Sequence, residues 1–301
     1  GTPVAGGFDG NLTIGLGTPF TLRGNNTGIA SGATLITRDG STITVGESEQ
    51  EVGNLTLNGG TLTFNNSGSI ITDKLGSEST TNIKLDIGSA GSDVNLLDQM
   101  VGAEMQLIEA TDSSTLSENH LNLVNKSTEA TDIDQGGSVV AKGKYSYELE
   151  KNAEGIGAKY SLSELNIQAD KTLALTTQDA TNRNVTAKLL GDGNLALTSD
   201  ATGMTLTNQN NNYTGTTTVA SGTVTAGSNN ALGQTSGLVI NSGAIVNLND
   251  KTQTIGQLTN NGTFDFGTTG SLEITTGGIS SGELTGQGSL HISGGELALS
   301  S

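Results

Sequence analysis

Two pairs of carboxylates come closest to a catalytic arrangement. Asp132 and Asp134, and likewise Glu148 and Glu150, stand two residues apart, a spacing that puts both members on one face of a β-strand. Carboxylates paired in this way can cleave a glycosidic bond, one as general acid and the other as base or nucleophile. A glycan cleft also normally needs aromatic platforms. This chain has no Trp, and its aromatics are four Tyr and five Phe. The simpler reading is a solvated acidic face, so carbohydrate hydrolysis stands only as a remote alternative. Gly191-Asp192-Gly193-Asn194 has the look of one fragment of a Gly-Asp calcium coil. The full nonapeptide repeat never occurs, and the four residues read as a turn. Two His, His120 and His291, with no Cys supply no zinc set. Residue count allows a Ser-His-Asp triad, but no Ser sits in a nucleophile elbow. His291 lies between Leu290 and Ile292 and reads as an outward polar position on a strand. No catalytic, cofactor-binding or metal-binding residue is therefore assigned, and the chain is read as a non-enzyme.

The elements that would carry any such residues are strands. Apolar residues recur with a period of two in Leu55-Thr-Leu57, Leu62-Thr-Phe64, Leu195-Ala-Leu197, Leu272-Glu-Ile274, Leu290-His-Ile292 and Leu297-Ala-Leu299. Gly, Asn, Asp and Ser cluster between them and supply turns. Low apolar content and a net charge of −17 push towards disorder, but this regular alternation opposes it. The chain reads as all-β. Beyond Lys188 the only Lys or Arg is Lys251, so the C-terminal third has no basic groove for nucleic acid and no attraction to anionic lipid. No apolar run is long enough for a membrane-spanning helix. Gly1 starts neither an initiator nor a signal-peptide pattern, which reads as a mature or excised segment. The absence of Cys suits a chain exported through an oxidising periplasm. Asn-x-Ser/Thr triplets at Asn11, Asn54, Asn65, Asn125, Asn184 and Asn261 arise from composition.

Short Gly-led strands recur at 53–64, 193–207, 222–227, 237–249 and 256–267. One coil of ~22 residues burying six aliphatic side chains gains roughly 9–18 kcal/mol gross. Ordering its backbone costs about 1–2 kcal/mol for every residue. A lone coil loses. Stacked coils share hydrogen-bond ladders and a continuous aliphatic column, which favours a solenoid.

Residues 211–233 carry the most specific pattern: N-x-Y-T-G-x-T-x-V-x-x-G-T-V-x-A-G-x-x-x-A-L-G. It includes Tyr213, Thr214, Gly215, Gly222, Gly227, Leu232 and Gly233. Asn212–Gly215 reads as a turn, Thr216–Ala220 and Thr223–Ala226 as strands, and Gly227–Gly233 as a corner. This run resembles the passenger-associated repeat of bacterial autotransporters, proteins of the type V secretion route, in the AIDA-type, self-associating and pertactin-like adhesins. The resemblance extends over about 165–301 and more loosely over 1–83. It implies a right-handed parallel β-helix, a β-solenoid.

Residues 84–163 differ, holding three of the four tyrosines. The composition of 95–112 could support a helix, whereas the rest of the segment reads as strands and turns. Tyr145, Tyr147, Leu149, Tyr160 and Leu162 occupy the aromatic and leucine places of the module that closes the β-helix in pertactin-like passengers. By that resemblance, 84–163 is an internal cap or inserted autochaperone-like β module between coils at 1–83 and coils at 164–301.

The resemblance implies a chain on the bacterial cell surface, exported through periplasm and outer membrane and attached by a barrel domain absent from this sequence. The expected function is adhesion. Its partners would be identical passengers on neighbouring cells, giving aggregation and biofilm, or a host matrix protein or surface glycan. A structural stalk, with the function elsewhere in the parent chain, is the alternative. No cofactor and no nucleic acid is expected.

Overall fold

Inward-facing residues at every second position stack in register from strand to strand, and this ordering organises the whole chain. The computed structural model describes residues 10–14, 19–22, 32–46, 48–87 and 94–300. The rest of the expected coil segment 1–83, and residues 88–93 of the middle segment, lie outside the described residues. Strand accounts for 59 % and helix for 3 %, which settles the class as an all-β parallel β-helix. The chain forms two compact units. The first comprises 1–89, 103–128 and 146–160; the second comprises 90–102, 129–145 and 161–301.

In the first unit, two stacks of parallel strands enclose the core. One stack runs from Asn11–Thr13 through Thr34–Ile36 and Glu49–Asn58 to Ser69–Ser79 and Ala103–Ser114. The other runs from Pro19–Leu22 through Thr42–Val45, Thr61–Asn65 and Thr81–Asp86 to Leu121–Leu123. Parallel register with a side-chain period of two puts like on like. Leu12, Leu35, Leu55 and Leu75 form one column, and Leu22, Val45, Phe64 and Leu85 another. Each coil therefore adds its aliphatic rung to a core that no coil could bury alone.

The stretch 95–112 is helical only over Leu96–Val101. Asn95 caps its start, accepting from the Leu97 amide at 2.8 Å. Gly102, at φ +86°, closes it by donating to the Asp98 carbonyl, and Ala103–Ser114 then continues as strand. The helix is short because glycine tolerates this left-handed backbone and so ends the turn.

The second unit is a stack of coils with up to three sheets. A seven-stranded parallel sheet runs through Thr172–Thr176, Asn194–Thr198, Thr216–Ser221, Gly237–Ile240, Gln257–Asn260, Gly278–Ser280 and Leu297–Leu299. A six-stranded sheet runs from Asn184–Val185 to Glu283–Thr285, and a three-stranded sheet joins Thr252–Ile255, Gly270–Ile274 and Gly288–Ile292. The first strand of the seven-stranded sheet would offer an unpaired edge, which invites stray pairing. Side-chain amides occupy it instead. Gln135 both donates to the Ala174 carbonyl and accepts from its amide at 2.9 Å, while Asn95 donates to the carbonyls of Thr176 and Gln178 at 2.9 Å. Asp98 accepts from the amides of Thr181 and Asn182 at 2.9 and 2.8 Å.

Leu195, Leu197, Leu272 and Ile274 are buried as their alternation predicts, but Leu290, Ile292 and Leu299 are exposed. The strands bearing these three are each paired on one side only among the described residues, so their rungs have a neighbour on one side.

One corner of the second unit carries a surface ion pair with a pH signature. The Arg183 guanidinium meets Asp200 in a two-pronged contact, with Nη2 to Oδ2 at 2.6 Å, and the same carboxylate accepts from the Thr202 amide at 3.0 Å. The Arg183 hydrogen bond holds the Asp200 carboxyl down to about 2. A depressed folded value stabilises the fold above the unfolded value near 3.9 and loses that contribution as pH falls through about 2. Following the Asp200 carboxyl by NMR should therefore give a midpoint near 2 in the parent chain. In Arg183→Ala the midpoint should move up towards the ordinary range, and it should stay put if the pair is absent in solution.

Candidate functional site

The carboxylate pairs do not converge. Asp132 and Asp134 lie on the exposed side of Thr131–Gln135, and Asp132 pairs with Lys142 across the antiparallel ladder. Glu148 and Glu150 are exposed on Ser138–Asn152. Asp192 accepts from the Thr214 hydroxyl at 3.1 Å, and Asn194 accepts from the Thr216 amide at 2.8 Å, so this stretch ties two coils together as a turn. Among the described residues no group of three or more His, Cys, Asp or Glu is placed to hold a metal. His291 is exposed, and His120 Nδ1 lies 2.8 Å from the Ser77 hydroxyl.

The repeat-motif residues form one coil and its junctions. Thr216–Ser221 and Thr223–Ala226 are strands, with Gly222 between them at φ +79°. A Cβ there would lie 2.1 Å from the Ser199 hydroxyl, so both conformation and space call for glycine. Gly215 is confined by space alone: a Cβ would lie 2.0 Å from the Gly193 carbonyl oxygen of the coil below. Gly227 follows the second strand, and Leu232 and Gly233 form the buried part of the corner. Thr214 is exposed. Tyr213 is fully buried, its hydroxyl 2.6 Å from Thr217 Oγ1, which is 2.8 Å from Thr235 Oγ1. Thr235 faces only acceptors beyond that, the Gly215 carbonyl at 2.7 Å and the Gly237 carbonyl at 2.9 Å. It must therefore donate to a carbonyl, Thr217 must donate to Thr235, and Tyr213 must donate to Thr217. Every hydroxyl proton is then placed, as burial demands.

Asn211 and Gln253 do similar work where the third side of the coil lacks strand. Asn211 accepts from the Leu189 amide at 2.8 Å and donates to the Ala231 carbonyl at 2.9 Å. Gln253 accepts from the Leu232 amide at 2.9 Å and donates to the Gly233 carbonyl at 3.1 Å. These amides stand in for ladder bonds that a corner cannot make. Thr217 and Asn211 are motif positions, but nothing in the sequence marked Thr235 or Gln253 as their counterparts in the next coil.

In the middle segment, Tyr147 belongs to the first unit, donating to the Ile87 carbonyl at 2.5 Å, and burial pushes its phenol up. Leu149 and Tyr160 pack against the core of the same unit. Tyr145 and Leu162 are buried in the second unit, and the Tyr145 hydroxyl bonds to Gln99 Oε1.

Two surface features of the second unit stand apart from these contacts between coils. The first is the outer face of the seven-stranded sheet. No residue in its seven strands is charged, in a chain of net charge −17. Registered neighbours Ala174, Ala196, Thr218, Val239, Thr259, Ile279 and Ala298 make one unbroken outward column. The other two sheets differ, carrying Asp265 and Glu283 on one, and Glu273 and His291 on the other. The sequence held this signal in strands such as TLALT and NLALT, but the sheet on which each strand lies was not readable from it.

The second feature is a groove of about 580 Å³. Its lining includes Gln209, Asn230, Gln234, Ser236, Thr254 and Thr276, and no lining residue is charged. It lies where the coil corner narrows to Gly256 alone, between the strands Thr252–Ile255 and Gln257–Asn260.

No protein-family description matches the chain, and no solved structure does. Among curated proteins it is similar to an uncharacterized lipoprotein of Escherichia coli K12, YdeK, with 32 % identity over 93 % of this chain. It is also similar to an uncharacterized protein of the same strain, YuaQ, with 31 % identity over 95 % of this chain. The chain spans about a quarter of the length of these relatives, 24 % and 23 % respectively.

Proposed function

We propose that this chain is part of a surface-exposed autotransporter passenger that acts in adhesion by self-association. In this reading, copies on neighbouring cells meet through the uncharged face of the seven-stranded sheet. That face carries the proposal: it is where two copies of a strongly acidic chain can approach without setting carboxylate against carboxylate. A lipoprotein among its relatives supports a place in the cell envelope. The resemblance of residues 211–233 to the passenger-associated repeat supports export by the type V route and attachment through a barrel elsewhere in the parent protein.

The size of the face decides how it would work. At ~4.8 Å per strand and ~3.3 Å per residue, seven strands of about four residues cover roughly 450 Å². A pair of copies would bury about 900 Å², short of the ~1,200 Å² that stable specific interfaces reach. A single contact is then weak, and many copies on opposed cells would hold by avidity.

Settling of cells displaying this chain tests the reading. Mixed with labelled non-displaying cells, they should clump among themselves and exclude the others. Clumping should rise as salt increases from ~0.01 M to ~0.15 M, because the screening length falls from about 30 Å to about 8 Å. Dispersal at every salt concentration would end the proposal.

A further inference from the structure

We infer that the groove at the Gly256 corner is a binding site for a short neutral oligosaccharide. Its volume of about 580 Å³ falls within the ~300–1,000 Å³ range of small-molecule sites. Much of its backbone is already committed. The amides of Gly233, Gln234, Thr235, Ser236, Gly256, Thr275 and Thr276 all donate to carbonyls of their own or adjacent coils. Those amides are therefore not free to pair with an extended peptide.

The side chains remain available. Gln209, Asn230 and Gln234 are exposed at the groove, and their side chains have no hydrogen-bond partner among the described residues. Asn211, also in the lining, is bonded between coils, as are amides elsewhere in this unit such as Asn194, Gln253 and Asn260. An amide both donates and accepts, and so do Ser236 and Thr254 hydroxyls; sugar hydroxyls have the same dual character. With no cation in the lining, the groove has no countercharge for a sulfated or sialylated ligand. No aromatic ring lines it, so stacking is absent and affinity should lie in the millimolar range, roughly −4 kcal/mol.

The recess is built by the fold. Gly256 is a one-residue corner, while the next coil turns through 275–277. A Cβ at Gly256 would lie 2.1 Å from the Ser236 carbonyl oxygen, so the floor cannot be filled by substitution without moving the coil beside it. The site is distinct from the uncharged sheet face, because Asn230 and Gln234 lie outside every strand.

Saturation-transfer NMR on the purified chain tests the inference, with maltotriose, cellotriose and triacetylchitotriose as neutral probes and sialyllactose as the charged comparator. At least one neutral trisaccharide should bind with a dissociation constant in the millimolar range. The double variant Asn230→Ala/Gln234→Ala should weaken it by about tenfold, with an unchanged unfolding midpoint. Asn184→Ala, at an exposed strand position outside the groove lining, should bind like the parent. Absence of binding by all three neutral sugars at ~20 mM, undiminished binding by the double variant, or equal binding of sialyllactose would overturn the assignment. Cell clumping is scored separately: its loss in the groove variant would overturn the separation of the two sites.

Discussion

Tyr213→Ala is expected to lower the unfolding midpoint of the second unit by about 10 °C. Removing a fully buried large aromatic costs about 3–5 kcal/mol through lost transfer energy and the cavity left behind. At ~2–4 °C for each kcal/mol in a domain of this size, the shift is roughly 6–20 °C. Tyr213→Phe separates packing from the hydroxyl chain. It keeps the ring, and Thr217 can still donate to Thr235, so the expected cost is nearer 1 kcal/mol. The two variants should therefore differ severalfold in thermal melts followed by circular dichroism. An alkaline signature follows as well. Burial pushes the Tyr213 phenol up, so its contribution is full below the unfolded value near 10 and is lost as pH rises towards the folded value. In Tyr213→Phe that part of the alkaline loss should vanish. Equal melts for Ala and Phe would show that the ring does not hold the coil.

Lysine on the sheet face is expected to abolish self-association while leaving the fold intact. Thr218, Val239 and Thr259 are consecutive rungs of the outward column and are half-buried. Carrying Lys at all three, two copies face to face would oppose like charges. Each opposed pair costs about 1–4 kcal/mol at ~4 Å, depending on how wet the contact stays. Three such pairs exceed what a contact of ~900 Å² offers. The substitution also separates this reading from general charge repulsion. Net charge would change from −17 to −14, that is −17 + 3, so unspecific repulsion would fall and clumping would rise. Contact through this face predicts the opposite sign. The three Lys stand on adjacent registered rungs and repel one another, so the unfolding midpoint should fall modestly while the chain stays folded.

Much of the fold was legible because its signal is local. Leu55, Leu57, Leu62, Phe64, Leu195 and Leu197 alternate and are buried, as a period of two requires. Turn positions Gly222 and Gly233 were readable too, since residues 211–233 spell strand, turn and corner with glycine at two points of positive φ, Asn230 taking a third. What was hidden is what one coil does to the next. Thr235 is linked to Tyr213 through Thr217, and Gln253 replaces a ladder bond for Leu232, yet each lies some twenty residues from its counterpart. Coil length varies along the chain, so those registers could not be counted out in advance. The edge-blocking amides Asn95 and Gln135 were missed for the same reason. The helical composition of 95–112 misled over its second half, where Gly102 ends the helix and the chain joins a sheet. The uncharged face was invisible as a face because its seven strands are scattered over 172–299.

Complementary charge on that face gives the most direct test of self-association. One population of cells would display the chain with Thr218, Val239 and Thr259 all replaced by Lys, and a second the same positions replaced by Glu. Contact through the seven-stranded sheet predicts that each population stays dispersed alone and that the two clump when mixed. Clumping of either population by itself at the parent's level, or continued dispersal of the mixture, would contradict it.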